Sequence, residues 1–210
     1  MITVSIIGTA GRNGLYRQLT SDMYSRACSN VEALLGQIAT AHNTTIDTLL
    51  IKSGGAALSD HIAVRLFRNK VITKLHLHLP CDFRTTHITK PQFISSNLSV
   101  ARSANHHHHN FSQQIEIDSL AELSEVLSQE GVSFDVSNGF FARNRKIAQC
   151  DYLIALIFQT KLTHEPSPQG NHGIISQVPP HEESRITPAG GTGNTWRQAS
   201  SAGRILLAIS

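Results

Sequence analysis

Residues 2–14 read ITVSIIGTAGRNG, an apolar, β-branched run followed by a turn that contains three glycines. A short strand without polar alternation is typical of the buried centre of a parallel sheet. A glycine-rich turn after such a strand lets the backbone and the next helix approach a ligand closely. This stretch therefore predicts the first strand, turn and helix of an α/β fold.

The residues that follow repeat this order. We expect helices at 21–42 and 61–70, and strands at 46–51 and 71–79. Strands that alternate with helices, with glycine turns at the strand ends, predict a single Rossmann-like domain. Its sheet should be doubly wound and mostly parallel, with helices on both faces.

The second half of the chain contains further elements and two irregular segments. We expect helices at 118–130 and 139–150, strands at 151–158 and 204–210, and a short helix that opens at GGTGNTW, residues 190–196. Residues 81–115 are predicted to form a long excursion with a short helix at most. Residues 159–189 lack periodicity and are too long for an ordinary turn. We expect residues 1–210 to form one domain with these two insertions.

Composition excludes several classes of protein. Hydrophobic residues make up 40% of the 210 residues and charged residues 16%, which excludes wholesale disorder. The excess of Lys and Arg over Asp and Glu is only +3, so a strong nucleic-acid binder is disfavoured. The three cysteines form no CxxC pair, and no run resembles a leader or a membrane span. We expect a cytoplasmic protein with no membrane partner.

Four segments rich in glycine or basic residues lie at or near strand-to-helix junctions. They are GTAGR at 8–12, SGGAALSD at 53–60, RNRK at 143–146 and GGTGNT at 190–195. In an open α/β sheet these junctions meet at the carboxyl edge, where ligands bind and free N–H groups favour anions. None matches the GxGxxG dinucleotide fingerprint or a P-loop. The pattern predicts a nucleotide or phosphate site.

Asp60 is the acidic residue of this predicted site. A functional and a structural role are both open. Asp60 can contact the ligand, by binding a ribose hydroxyl or acting as a catalytic acid, and it can cap the helix that begins at His61. Of the two arginines in the RNRK segment we expect Arg145, with Asn144, to face the ligand. The candidate ligand-binding residues are Gly8, Thr9, Ala10, Gly11, Arg12, Ser53, Gly54, Gly55, Ala56, Asp60, Asn144, Arg145, Gly190, Gly191, Thr192, Gly193, Asn194 and Thr195.

The segments also resemble known motifs. SGGAALSDHIA at 53–63 resembles the SGGAxGxDxxAH signature of the DprA (Smf) family, and FFARNRKIAQCDYLIAL at 140–156 resembles its FxxRNRxIAxLSD segment. GGTGNTW at 190–196 resembles the PGGxGTxxE turn of the "lonely guy" (LOG) phosphoribohydrolases. The resemblance to this superfamily, called SLOG, implies a Rossmann-like domain that holds a nucleotide-type ligand over the carboxyl edge of its sheet.

Two departures from the family pattern bear on function. DprA proteins usually carry additional domains, for which this chain has no residues left. In the LOG motif a catalytic Glu lies where this sequence has Arg197. A guanidinium cannot replace a carboxylate in general acid or base catalysis, so Asp60 is the acid that the motifs still offer.

Three functions remain open at this point. The first is a sensor or sequestering module that binds a nucleotide or a nucleotide-derived molecule. The second is an enzyme that hydrolyses the N-glycosidic bond of a nucleotide, with Asp60 as its catalytic residue. The third is DprA-like binding of single-stranded DNA through Arg143, Arg145 and Lys146. A homo-oligomer is compatible with each of them.

Histidines form the most conspicuous feature of the composition. Residues His106–His109 form a run of four, which we interpret as part of a polar loop. His76 and His78 are two residues apart on a predicted strand and therefore share a face. No HExxH or similar frame supports a metal site, so we expect no bound metal or cofactor.

Overall fold

The computed structural model describes residues 1–11, 14–85, 90–158, 190–199 and 203–209, and the backbone of 174–175. The described strands are Thr3–Gly8 (β1), Leu50–Ser53 (β2), Leu75–Leu79 (β3), Asp82–Arg84 (β4), Gln92–Ile94 (β5), Val132–Val136 (β6), Tyr152–Phe158 (β7), Ile174–Ile175 (β8) and Gly203–Ile209 (β9). The described helices are Ser21–Ala41 (α1), His61–Arg68 (α2), Leu98–Ile115 (α3), Ser119–Leu127 (α4), Phe140–Ile147 (α5) and Gly190–Gln198 (α6).

One large sheet organises the fold, with the strand order β6-β3-β2-β1-β7-β9-β8. Its first six strands run parallel to their neighbours, and only β8 runs antiparallel, against β9. The first strand lies at the centre, with β2, β3 and β6 on one side and β7 and β9 on the other. The predicted Rossmann-like, doubly wound α/β fold is therefore confirmed.

The two faces of the sheet bury different helices. Val4 and Ile6 of β1 face a cluster that includes side chains of α1 to α4. Ile7, which points the opposite way, packs with residues that include Ile147 at the end of α5 and Trp196 of α6. This alternation follows from the two-residue period of a strand, and it explains why β1 and β7 have apolar residues on both faces.

Side chains cap the starts of two helices. The Thr20 hydroxyl accepts a hydrogen bond from the N–H of Met23, which satisfies one free donor at the start of α1. Asp118 accepts in the same way from the N–H of Ala121 at the start of α4. The three cysteines are all free.

The predicted irregular excursion at 81–115 is wrong. Residues Asp82–Arg84 and Gln92–Ile94 form a small antiparallel hairpin, and Leu98–Ile115 form a helix of 18 residues. The helix buries one stripe at steps of three and four residues, consisting of Ala101, Ala104, His108, Phe111 and Ile115. The histidine run therefore lies on a helix, with His108 buried and His106 and His109 exposed.

Strand β6, at one edge of the sheet, was not predicted. The predicted insertion at 159–189 lies outside the described residues, apart from the backbone of 174–175. In the part of the chain that is described, no helix has both the length and the apolar character to cross a membrane.

Candidate functional site

The chain reverses its direction of sheet growth between β1 and β7. Strands are added on one side of β1 up to β6, and the next strand, β7, pairs with the other side of β1. In open α/β sheets the crevice above the carboxyl ends of the strands at such a switch point is the usual ligand site. The turn after β1 and the loop between β2 and α2 lie at this edge.

The turn after β1 is held by hydrogen bonds on both sides. The N–H of Thr9 donates to the carbonyl of Leu156 in β7 (3.0 Å), and the Ser59 hydroxyl donates to the carbonyl of Thr9 (2.9 Å). A Cβ added at Gly8 would collide with the Leu156 carbonyl oxygen and lie 2.5 Å from the Ser59 hydroxyl oxygen. Glycine is thus required here for close backbone packing.

Gly11, Ala10 and Arg12 are the other candidates in this turn. The N–H of Gly11 donates to the Thr9 hydroxyl oxygen (3.1 Å), and the positive φ of 73° at Gly11 suits glycine. Ala10 is half-buried beside them. Arg12, the predicted phosphate ligand of this turn, lies outside the described residues.

The SGG turn after β2 is also closed by internal bonds. The Ser53 hydroxyl lies 2.9 Å from the carbonyl oxygen of Ile6 and 3.0 Å from that of Asp60. Gly55 has a positive φ of 62°, and its carbonyl lies 3.1 Å from Nε2 of the buried His108. Ser53 therefore ties β1, β2 and the start of α2 together, while Gly55 contacts α3. Ala56 is half-buried at the end of the turn.

Asp60 lies beneath these turns and is 3% exposed. It directly precedes α2, but its side chain makes no capping hydrogen bond. Its Oδ2 atom lies 3.6 Å from Nη1 of Arg143 and has no hydrogen-bond partner among the described residues. Burial raises the pKa of Asp60, although Arg143 and the backbone of Ala56, Gly8 and Gly54 oppose that rise.

Arg143 of α5 reaches over the SGG turn. Its Nη1 donates to the carbonyl of Gly54 (3.3 Å), and its Nε and Nη2 donate to Oδ1 of Asn144 (3.2 and 3.0 Å). A Cβ on Gly54 would lie 2.5 Å from Oδ2 of Asp60 and 2.7 Å from Cζ of Arg143. The close approach of the acid, the guanidinium and the backbone therefore depends on this glycine.

The two arginines of the RNRK segment occupy different surroundings. Asn144, which we expected to face the ligand, is 2% exposed, and its Oδ1 accepts hydrogen bonds from Arg143. Arg145, which we expected at the site, is exposed on α5, and Arg143 contacts the turn instead. Positions two apart on a helix point about 200° apart, and the sequence did not show which one faces the sheet edge.

The segment at 190–195 forms the first two turns of α6. Gly190 and Gly191 are helical, Thr192 and Asn194 are half-buried, and Gly193 and Thr195 are buried. Trp196 is 2% exposed and packs in the cluster that includes Ile147. Trp196 therefore has a packing role and is not available to stack on a base, while Arg197 is exposed.

Sequence reasoning missed one further polar group at this edge. Ser137 lies between β6 and α5, is 7% exposed, and its hydroxyl has no hydrogen-bond partner among the described residues. Its N–H donates to the carbonyl of Leu79 at the end of β3 (2.8 Å). The signal for Ser137 was weak because β6 itself was not recognised. Buried polar groups without partners are rare in native proteins and often mark ligand sites.

A second buried carboxylate, Glu122 of α4, lies against α2 on the same side of the sheet as α1. Its Oε2 is 2.8 Å from Nε2 of His61, and its Oε1 binds the guanidinium groups of Arg65 and Arg68. Burial would raise the pKa of Glu122, but His61 and the two arginines lower it below its ordinary value. This group is fully satisfied by the protein itself.

The sequence is similar to that of a viral protein. The chain is 29% identical over 211 residues to "Uncharacterized protein R261" of Acanthamoeba polyphaga mimivirus, and the match spans 100% of this chain and 97% of that relative. No family model matches the sequence, and a search of the solved structures found no match. The similarity to the viral protein extends along the whole chain.

The arrangement at the carboxyl edge suits a ligand with hydroxyl and anionic groups. A hydroxyl of such a ligand can donate to Oδ2 of Asp60, which lacks a donor among the described residues. The guanidinium of Arg143 lies next to that oxygen and can bind an anion through N–H donors that lie in its plane. Glycine turns on both sides let the backbone approach the same ligand.

Proposed function

We propose that this protein binds a nucleotide or a nucleotide-derived molecule at the carboxyl edge of its sheet, as a sensor or sequestering module. The observation that carries the proposal is the buried Oδ2 of Asp60, which has no hydrogen-bond partner among the described residues and lies 3.6 Å from Arg143. A ribose hydroxyl supplies the missing donor to Oδ2, and a phosphate adds an anion that the guanidinium can bind beside its present contacts.

The position of this pair supports membership of the SLOG superfamily as part of the same proposal. Asp60 belongs to the segment 53–63, and Arg143 belongs to the segment 140–156. These are the two segments that resemble DprA motifs. Asp60 and Arg143 lie about 80 residues apart in sequence, yet their side chains are 3.6 Å apart in the structure.

The first experiment is a thermal-shift panel on the purified full chain. It includes mononucleotides, dinucleotides, cyclic nucleotides, ADP-ribose relatives and a short oligothymidine. A ligand at 100 times its Kd stabilises the native state by about 2.7 kcal/mol, which is a visible shift in Tm. We expect a shift with one class of small nucleotide. A shift with oligothymidine alone, which weakens steeply with salt, would replace the proposal with single-stranded DNA binding.

Two arginines provide a matched pair for locating the site. We expect Arg143→Gln to reduce the ligand-induced shift by at least half, because a charge-assisted contact is worth about 1.5–3 kcal/mol. Arg145→Gln removes the same charge two residues away, at an exposed position, and should retain the full shift. Equal losses in both variants would show that the effect is general electrostatics rather than this site.

An enzyme that cleaves the N-glycosidic bond is the second candidate, because burial raises the pKa of Asp60 in the direction that a general acid needs. Its test is chromatography of the ligand after incubation with the protein. Release of free base that disappears in Asp60→Asn would favour the enzyme. An intact ligand that still produces the thermal shift would favour binding alone.

A further inference from the structure

A group of metal-ligating side chains lies outside the site described above. His76 and His78 occupy alternate positions of β3, so both point to the face of the sheet that α5 covers. In the parallel register β3 pairs with β6, which places Ser133 beside His76 and Asp135 beside His78. The two imidazoles and the carboxylate come together only because β6 joins this edge of the sheet.

The distances within this group resemble those between the ligands of one metal ion. Nδ1 of His78 lies 3.0 Å and Nε2 of His76 lies 3.4 Å from the same oxygen, Oδ2 of Asp135. One ligand atom from each residue can be chosen so that all three lie within 4.8 Å of one another. Around tetrahedral zinc, with bonds of about 2.0–2.1 Å, neighbouring ligand atoms are separated by ~3.3 Å.

Surrounding hydrogen bonds orient two of the three ligands. Nδ1 of His76 lies 2.7 Å from the Ser133 hydroxyl, which leaves Nε2 facing Asp135. The Lys146 ammonium donates to the other carboxylate oxygen, Oδ1 of Asp135 (3.0 Å), which leaves Oδ2 facing the imidazoles. Outer partners of this kind are common in metal sites because they fix the orientation of each ligand.

We propose that Nε2 of His76, Nδ1 of His78 and Oδ2 of Asp135 bind a divalent transition-metal ion of the zinc type. Two imidazoles and one carboxylate form a donor set that zinc uses in proteins, with a fourth position left for water or a ligand group. This proposal does not depend on nucleotide binding, because none of the three residues belongs to the group around Asp60 and Arg143.

The same surroundings set the expected strength of binding. Nε2 of His78 is buried without a hydrogen-bond partner among the described residues, so it lacks the acceptor that usually supports a metal-bound imidazole. A missing outer partner weakens a metal site by about 10–100-fold. The positive charge of Lys146 next to Asp135 acts in the same direction. We therefore expect binding that is weaker than that of a closed structural zinc site.

The test is a titration with Co²⁺, whose visible absorption is strong when its coordination is tetrahedral. Because runs of histidine bind added metals, the starting protein carries His106→Gln, His107→Gln and His109→Gln. His108 is kept because it is buried and contacts Gly55. We expect the visible band to appear with one Co²⁺ per chain and to disappear when Zn²⁺ is added in competition.

Two single substitutions then test the assignment. Asp135→Asn and His76→Gln, each in the starting protein, should weaken Co²⁺ binding at least tenfold and remove the tetrahedral band. Unchanged binding in both variants, or no band in the starting protein, would overturn the proposal. Circular dichroism in the presence of a chelator checks that each variant is folded. The nucleotide panel is run without metal, so failure of either proposal is seen separately.

Discussion

Asp60 and Glu122 are both buried acids that contact α2, yet their surroundings differ completely. Glu122 has a partner on each oxygen, with His61 on Oε2 and Arg65 and Arg68 on Oε1. Asp60 has one oxygen without a hydrogen-bond partner among the described residues, and its nearest cation is 3.6 Å away. The pKa of Glu122 is lowered and the pKa of Asp60 is raised.

The difference separates an acid whose partners all come from the protein from one whose carboxylate is incomplete, which the proposed function interprets as a ligand contact. When all partners of a buried carboxylate come from the protein, their interactions in the folded state offset the free-energy cost of removing the charge from water. A carboxylate left incomplete keeps part of that cost until a ligand supplies the missing donor. Asp60 and His61 are adjacent in sequence. Asp60 belongs to the candidate site and His61 contacts Glu122, so the start of α2 links the candidate site to the ion pairs of Glu122.

The largest effect is expected from removing the satisfied acid. Glu122→Ala leaves His61 and two arginines without their shared anion, and we expect a loss of about 2–3 kcal/mol in the free energy of unfolding. Urea denaturation at neutral pH measures it. Because the pKa of Glu122 is lowered from its ordinary value of 4.5, its contribution is lost as the pH falls through the lowered value. A loss below about 0.5 kcal/mol would contradict the structural role.

The second effect tests how tightly the incomplete acid is enclosed. Gly54→Ala places a Cβ 2.5 Å from Oδ2 of Asp60, so we expect a loss of about 1–3 kcal/mol and no ligand-induced thermal shift. Gly36→Ala, within α1, is the matched control. A Cβ at Gly36 would meet only Cδ1 of Ile46, at an ordinary contact distance of 3.8 Å. That change should stabilise the protein by about 0.5–1 kcal/mol. Equal effects at both glycines would contradict the close packing at Gly54.

The third effect has the opposite sign to the first. Because folding raises the pKa of Asp60, the ionised carboxylate is less favourable in the folded than in the unfolded chain. Its contribution to stability is present below the ordinary value of 3.8 and is lost as the pH rises through the raised folded value. Asp60→Asn should therefore have a higher Tm than the unmodified protein at neutral pH, and the gap should narrow in acid. A lower Tm at neutral pH would show that Asp60 stabilises the fold as Glu122 does.

The smallest effect comes from an exposed acid on the same helix as Glu122. Glu125 contacts Arg68 (2.9 Å), but its side chain is 51% exposed. Exposed pairs contribute about 0–1 kcal/mol because water and salt screen them, so Glu125→Gln should change the free energy of unfolding by less than about 0.5 kcal/mol. Urea denaturation of this variant and of Glu122→Ala shows whether burial of the acid, or its charge alone, determines how much free energy of unfolding is lost.

Much of the fold followed from apolar patterning. Strands β1 and β7 consist mostly of apolar residues, and the first three strands and two helices occur in the predicted order. Strand β6 was missed because an edge strand is only half-covered, and its alternating sequence VSFDV is short. Helix α3 was missed because the histidine run conceals a buried stripe that includes His108 and Phe111.

The candidate site was predictable in its location but not in its contacts. Glycine turns after strands indicated the carboxyl edge, and Asp60 and Asn144 are buried there. The sequence did not show that Arg143 faces the SGG turn, since that depends on how α5 packs on the sheet. It also did not place Asp135 beside His78, because that neighbour exists only through the register of β3 with the missed strand.

The central position of β1 has a consequence for synthesis of the chain. Thr3 at its start binds Asp151, 148 residues later, and β7 follows directly. Until β7 leaves the ribosome, β1 can pair with β2 on one side only, and its other side remains an open edge. Such edges pair readily with other chains. We therefore expect chains interrupted before Tyr152 to aggregate, and folding to be completed only late in translation.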